Sequence, residues 1–212
     1  AYVAIYDSSD NILWSWLIWA TPEPGTTISG GNTFMDRNLG AIAGGNYMRG
    51  FLYEWGRKDP FPAADGDNYT PYTYVPARMT CHVIQTAGEG YSVAYTVAHP
   101  TTYLDDNPWV SETDYRTTLW SDTEKTVYDP SPAGWRVPTK DQMVASNTGL
   151  DGLATGFIGN CGADFDYGNP WIGYYWSSTA IDRTKAYAFY NNSSANKSWP
   201  TQEGYAIRCV RE

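Results

Sequence analysis

The chain has 212 residues, of which 42% are hydrophobic and 17% are charged, and its formal net charge is −9. This acidic balance, without a cluster of Lys or Arg, excludes binding to the phosphate backbone of nucleic acids. No apolar stretch approaches the roughly 20 residues of a transmembrane helix, which excludes a membrane span in this sequence.

The first 20 residues predict a β-hairpin, because two runs of β-branched and aromatic residues flank a polar turn at 7–11. The Pro and Gly content of 22–32 predicts a loop. A short strand is expected to follow from Phe34 to Leu39.

The middle of the chain contains one predicted helix and a long irregular region. The helix is expected within 46–62, where aromatic residues cover one side and Gly56 and Pro60 mark its end. Residues 63–126 are rich in Pro, Gly, Asp, Asn, Thr and Tyr. This composition predicts long loops that carry a few short strands, such as 91–97.

A second helix is predicted over 140–148, directly after a short strand at 135–137. Thr139 precedes Gln142 by three residues, which is the spacing of a capping box at a helix N-terminus.

The C-terminal part predicts a β-meander, because three segments alternate with a period of two. These segments are 173–181, 185–191 and 204–210, and a long polar loop at 192–203 precedes the last of them. A further strand is predicted near 154–160.

Five motifs occur together in this order: MDRNLGA (35–41), YEWGRKDPFP (53–62), YDPSPAGWRVPT (128–139), YYWSST (174–179) and GYAIRCVRE (204–212). Together they resemble the Fibrobacter succinogenes major paralogous domain, as found in C-terminal domains of Bacteroidetes surface and fimbrial-tip proteins. The resemblance implies an α+β, C-type-lectin-like fold with two short helices, antiparallel sheets and long irregular loops. It also implies an extracellular protein for which no enzymatic activity is firmly assigned.

We therefore expect one domain over 1–212, forming the C-terminal module of a larger precursor, with the hairpin at 1–20 joining a preceding domain. The expected function is adhesion at the cell surface or fimbrium of a Gram-negative bacterium, by recognition of a glycan or a surface protein. Other pilus or surface subunits would be contacted through the preceding domain. The alternative is a structural cap or spacer without a ligand, and the third hypothesis is an enzyme on a formylglycine-generating-like fold.

The chain contains three cysteines, Cys81, Cys161 and Cys209, and an odd number leaves at least one thiol unpaired within the chain. Many proteins of the family that the chain resembles carry a cysteine where Ser131 stands here. If that cysteine pairs with the one in the terminal strand, Cys209 has lost its partner. Cys209 is then predicted to be reduced and buried.

Asp36, Arg37 and Asn38 place an acid, a base and an amide side by side within an apolar frame. They suit either a catalytic centre or a structural tie. A tie is favoured, because charged side chains are buried mainly when paired and Arg can fasten a strand to loop carbonyls or to a carboxylate. Sequence motifs of nucleophilic, phosphate-binding and zinc-dependent catalysis are absent, so no enzymatic activity is expected.

A glycan site is predicted in the loops, since an exposed tryptophan there can stack on a sugar while carboxylates and amides bind its hydroxyls. Trp109, Trp171 and Trp199 each adjoin a proline, and the alternative is that each covers its own loop. The loops at 63–75, 161–172 and 192–203 qualify by length and polarity. The predicted ligand-binding residues are Trp171, Trp199, Asp164, Asp166 and Asn169.

Calcium is the one candidate cofactor, because hard cations need several oxygen ligands. Three stretches, 65–68, 104–107 and 164–169, each offer two carboxylates and an amide. Asp164, Asp166 and Asn169 are the best set. Asx-rich turns without an ion are the common alternative, because Asp and Asn hydrogen-bond their own backbone.

Overall fold

The computed structural model describes residues 2–45, 50–61, 80–82, 90–117, 119–146, 173–190 and 193–212. Over these residues the protein is a mixed α+β structure whose sheets are antiparallel, apart from one parallel pair, β6–β7. The helices are α1 (Val93–Ala98), α2 (Glu112–Thr117) and α3 (Lys140–Ala145). The strands are β1 (Tyr2–Tyr6), β2 (Ile12–Leu17), β3 (Thr26–Ser29), β4 (Asn32–Met35), β5 (Tyr53–Glu54), β6 (Thr80–His82), β7 (Thr102–Leu104), β8 (Trp135–Arg136), β9 (Tyr174–Asp182), β10 (Lys185–Tyr190), β11 (Ser193–Pro200), β12 (Gly204–Tyr205) and β13 (Val210–Arg211).

The predicted N-terminal hairpin is confirmed, with β1 and β2 antiparallel and Val3 opposite Trp16. The Asp7 carboxylate closes the turn by accepting hydrogen bonds from the backbone N–H groups of Ser9 and Asn11. An Asx side chain that bonds to nearby backbone in this way replaces main-chain turn contacts.

The loop predicted over 22–32 is wrong, because β3 lies within it and forms a second hairpin with β4. Gly30 and Gly31 adopt φ of 56° and 77°, which is the left-handed backbone that a two-residue hairpin turn needs. These strands belong to a four-stranded sheet of order β3-β4-β13-β8. The strand predicted at Phe34 ends at Met35 instead of Leu39.

The helix predicted within 46–62 is wrong over its described part, 50–61. This segment contains β5, which pairs with β12, and Leu52 forms an isolated antiparallel bridge with Phe61. Every residue from 52 to 57 is buried. A surface helix would bury one side only, so the aromatic spacing reflects a segment enclosed on all sides.

The strand predicted at 91–97 is also wrong, since α1 occupies most of it. The Ser92 side chain caps this helix by accepting a hydrogen bond from the backbone N–H of Tyr95. For α3, the predicted capping box is confirmed: Gln142 N–H donates to Thr139 Oγ1 at 3.2 Å, and Thr139 N–H donates to Gln142 Oε1 at 2.9 Å. The helix ends at Ala145, and residues 147–148 lie outside the described ones.

The first two strands of the meander are confirmed as the antiparallel pair β9–β10. The polar loop predicted at 192–203 is wrong, because β11 lies there and adds a third strand beside β10. The strand predicted over 204–210 is divided into β12 and β13, and every residue in it is buried. The strand predicted at 154–160 lies outside the described residues.

The core is aromatic, and three of its tryptophans are hydrogen-bonded to the backbone. The indole N–H groups of Trp55, Trp109 and Trp176 donate to backbone carbonyls of Ser177, Trp55 and Tyr53 at 2.7–2.9 Å. Trp109 is therefore a core residue and not an exposed loop residue.

None of the helices that the structure describes is long and apolar enough to cross a lipid bilayer.

Candidate functional site

A cavity of about 690 Å³ lies between the N-terminal hairpin and the rest of the protein. We call it the aromatic cleft; it is lined by residues of β2, by Trp19 and Leu39, by Tyr53, Lys58 and Asp59, and by residues of the segment 127–132. Its volume is within the range of small-ligand sites, roughly 300–1,000 Å³.

Three tryptophans, Trp14, Trp16 and Trp19, contribute flat apolar surface to the cleft. The Trp19 indole is fixed by a 3.0 Å hydrogen bond from Nε1 to the Ala41 carbonyl. Trp14 packs against Tyr128, with ring centroids 5.6 Å apart. Trp16 is 46% exposed, so one of the three rings is open to solvent without any rearrangement. Rigid rings of this kind can stack on the apolar face of a ligand at little entropic cost.

Lys58 and Asp59 form an ion pair in the cleft lining, with Nζ 2.7 Å from each carboxylate oxygen. The same Nζ donates to the Ser15 carbonyl and hydroxyl, and the Ser15 hydroxyl donates to Asp59. The ammonium also lies 4.7 Å from the centre of the Trp14 ring. These contacts attach the hairpin to the body of the protein through a closed polar network.

Burial affects the two charges of this pair in opposite directions. It raises the pKa of Asp59 and lowers the pKa of Lys58, because water stabilises both charged forms better than the protein interior does. Their mutual attraction opposes both shifts. The pair is held as a unit in which each charge depends on the other.

Tyr53 also lines the cleft, and its hydroxyl is buried without a hydrogen-bond partner in the described part of the chain. Burial raises the pKa of this hydroxyl well above its usual value, and the nearby Tyr2, Cys209, Asp59 and Asp129 add to the shift. A buried polar group without a partner is unusual in a native structure. The Tyr53 hydroxyl is therefore a neutral group buried behind the cleft surface, and it is not exposed to a ligand.

Asp129 and Ser131 form part of the opposite wall. The Asp129 carboxylate accepts hydrogen bonds from the backbone N–H groups of Ser131 and Val137 and from the Lys125 ammonium. The Ser131 hydroxyl lies 3.3 Å from the Cys209 thiol. Cys209 is free, and burial raises its pKa to about 12, which makes it a poor nucleophile at neutral pH.

The Asp36–Arg37–Asn38 group lies outside the cleft lining. Arg37 Nε donates to Asp36 at 2.8 Å, and its Nη1 donates to the Ile42 carbonyl at 3.1 Å. Hydrogen bonding from Arg37 lowers the pKa of Asp36. Asn38 Oδ1 accepts a 2.7 Å hydrogen bond from Arg208 Nε. These are the carbonyl and carboxylate contacts expected of a structural tie.

Of the predicted ligand-binding residues, the structure describes only Trp199. It lies in β11 opposite Ala186 and packs edge-on against Tyr174 and Tyr205 at 5.3 and 6.2 Å. It is half-buried, and its Nε1 is buried without a partner in the described part of the chain. The other four predicted residues, Trp171, Asp164, Asp166 and Asn169, lie outside the described ones.

The calcium prediction rests mainly on stretches that also lie outside the described residues, at 65–68 and 164–169. The stretch at 104–107 is described, and the peptide bond that follows it, between Asn107 and Pro108, is cis. Among the described residues, no group of three or more His, Cys, Asp or Glu side chains is arranged to hold a metal ion.

A second cavity, of about 440 Å³, is lined by Trp55, Trp120, Asp122 and Ser178 among others. The Asp122 carboxylate accepts hydrogen bonds from the hydroxyls of Ser178 and Thr179. The indole N–H groups of Trp55 and Trp120 donate to backbone carbonyls. The Trp55 and Trp120 rings are buried, whereas the aromatic cleft includes the exposed Trp16 ring and has the larger volume, so the aromatic cleft is the stronger candidate.

From the sequence, the tryptophans of the cleft were predicted only as part of the hairpin at 1–20, and Lys58 only as part of the helix within 46–62. A usable signal was the alternation of Trp14 and Trp16 beside the polar Ser15, since period two directs both rings to one face of β2. The partners of this face come from distant parts of the chain, around residues 58 and 129.

Comparisons with known protein families, with curated proteins and with solved structures find no match to this chain.

Proposed function

We propose that this chain is an extracellular adhesion module with a C-type-lectin-like fold, which binds a saccharide in the aromatic cleft. The observation that carries the proposal is the position of three tryptophans beside a fixed polar network in one cavity of ligand size. Apolar walls with a few oriented polar groups are the usual composition of small-ligand sites. The aromatic, weakly charged composition supports a place at the bacterial surface or fimbrial tip.

The exposure of Trp16 beside a cavity supports binding over a purely structural cap, because an exposed ring next to a cavity can stack on a ligand. An enzyme is less well supported. The perturbed groups of the cleft, Lys58 and Asp59, are bonded to each other, and the nearby Cys209 is not activated.

A glycan array tests the proposal, followed by calorimetric titration of the best ligand with and without a calcium chelator. Trp16→Ala should weaken binding by at least about tenfold, since truncating an aromatic anchor costs roughly 2 kcal/mol. Ile28→Ala is the matched control, because Ile28 is an exposed apolar residue of β3 that does not line the cleft. Equal affinity in both variants, or no binding to any glycan, would refute saccharide binding in the cleft.

A further inference from the structure

We infer that the aromatic cleft selects neutral saccharides over those carrying carboxylate, sulfate or phosphate groups, and that Asp59 sets this selectivity by neutralising Lys58. This inference rests on the proposed function and specifies the class of sugar. It is carried by the hydrogen bonds of the charged residues that line the cleft.

Among the described residues that line the cleft, Lys58 is the only Lys or Arg, and an ammonium has three N–H groups to donate. Its Nζ lies 2.7 Å from both Asp59 oxygens, 2.7 Å from Ser15 Oγ and 3.0 Å from the Ser15 carbonyl. The Asp59 carboxylate, the Ser15 hydroxyl and the Ser15 carbonyl can each accept one N–H group, which uses all three donors of the ammonium. An anion entering the cleft therefore finds no donor on Lys58.

The position of Asp59 adds to this effect. Its side chain is only 4% exposed, and it places a full counter-charge against Lys58 inside the lining. The two charges cancel, so the pair attracts an anion only weakly, through a dipole.

The opposite wall carries a second carboxylate, Asp129, whose charge is balanced by Lys125 at 2.8 Å. Lys125 is not among the residues that line the cleft, whereas Asp129 is. A ligand anion would thus meet two carboxylates that are each already paired with a lysine, and it would lose its hydration without gaining a charged partner. A sugar hydroxyl is neutral, so its loss of hydration in the cleft costs much less than that of an anion.

The test compares a neutral oligosaccharide with its uronic acid counterpart, in which one CH₂OH group is replaced by a carboxylate. The wild-type protein should bind the neutral member at least about tenfold more tightly, which corresponds to about 1.4 kcal/mol. Equal or tighter binding of the acidic member would overturn the inference while leaving saccharide binding intact. Binding of neither member, or of any other glycan, would overturn the proposed function and the inference with it.

Asp59→Asn tests the role assigned to the carboxylate, because it removes the counter-charge and keeps the side-chain volume. Affinity for the acidic member should rise by about tenfold in this variant. The double variant Lys58→Met with Asp59→Asn is the control, since it removes both charges and should not gain acidic binding. Circular dichroism checks that each variant is folded. If Asp59→Asn does not fold, the comparison of neutral and acidic oligosaccharides with the wild-type protein decides whether the cleft selects neutral sugars. A folded Asp59→Asn variant without increased acidic binding would overturn the role of Asp59.

Discussion

The Sγ atom of Cys209 lies 3.3 Å from the Oγ atom of Ser131, although the two residues are 78 positions apart in the chain. Both side chains are buried. The position occupied by Ser131 is the one where many proteins of the family that the chain resembles carry a cysteine. The geometry therefore agrees with the expectation that Cys209 has lost a partner there.

We predict that Ser131→Cys forms a disulfide with Cys209. A disulfide bond is about 2.05 Å long, which is shorter than the 3.3 Å between Cys209 Sγ and Ser131 Oγ, so the two side chains must move closer together. Closing so long a loop should raise the free energy of unfolding by about 2–4 kcal/mol, as measured by urea melts with and without reductant. Ser131→Ala is the control, and two titratable thiols at these positions in the unreduced, unfolded variant would contradict the prediction.

The wild-type Cys209 thiol should be unreactive in the native protein. Burial raises its pKa to about 12, so almost no thiolate is present at pH 8 and the sulfur is inaccessible as well. A thiol reagent should label Cys209 only after unfolding without reductant, as peptide mapping can show. Rapid labelling of the folded chain would mean that the segment before β13 opens readily, and a Cys161–Cys209 disulfide in the map would refute the free thiol.

Glu54 should make stability depend on pH. Burial raises its pKa from 4.5 to about 7, although hydrogen bonds from Arg57 and from the Leu104 N–H favour the carboxylate. At a pH between these two pKa values, Glu54 holds a proton in the native state that it has released in the unfolded state. The free energy of unfolding therefore falls as pH rises from about 4.5 to 7, by up to about 1.4 kcal/mol per pH unit, and this contribution becomes constant above that range.

Glu54→Gln isolates this contribution, because the amide cannot titrate in the same range. Urea melts at pH 5, 6, 7 and 8 should show the wild type losing stability relative to the variant up to pH 7. A constant difference across the series would show that Glu54 keeps its ordinary pKa. An increasing wild-type advantage would show that the pair with Arg57 outweighs burial.

Thr139→Ala should destabilise the protein by about 1 kcal/mol, because it removes the hydroxyl that accepts the Gln142 N–H at the start of α3. Gln142→Ala removes the reciprocal bond and is the companion variant. A urea midpoint unchanged in Thr139→Ala would mean that the cap contributes nothing measurable to this helix.

The capping box could be predicted from the sequence, since its contacts join residues three positions apart. The first hairpin is of the same kind, because its turn is closed by Asp7 and its immediate neighbours. In both cases the partners are neighbours in the sequence, and composition and spacing identify them.

The sequence-based predictions that were wrong concern segments whose structure depends on long-range packing. Residues 52–57 have the aromatic content of a helix face, but β5 pairs with β12 and every residue of the segment is buried. Residues 193–200 are polar, but β10 supplies a neighbouring strand that makes them β11. The aromatic cleft depends on the meeting of β2 with Lys58 and Asp129, which no local pattern reveals.

Trp199 provides the last prediction, because it was expected to be an exposed sugar-stacking residue and lies instead half-buried in β11. It packs against Tyr174 and Tyr205, so Trp199→Ala should lower the free energy of unfolding by about 3 kcal/mol. Trp16→Ala, at a position that is 46% exposed, should cost much less, within about 0.5–1 kcal/mol.

Trp199→Phe removes the indole N–H group and keeps an aromatic ring at this position, so it distinguishes the contribution of the ring from that of the N–H. Nε1 is buried without a partner in the described part of the chain, so removing it relieves a desolvation cost of about 1–3 kcal/mol. Phe should therefore retain most of the wild-type stability, as measured by the same urea melts. If Trp199→Ala instead abolishes glycan binding and leaves the melting temperature unchanged, the ligand site predicted with Trp171, Asp164, Asp166 and Asn169 gains support at the expense of the cleft.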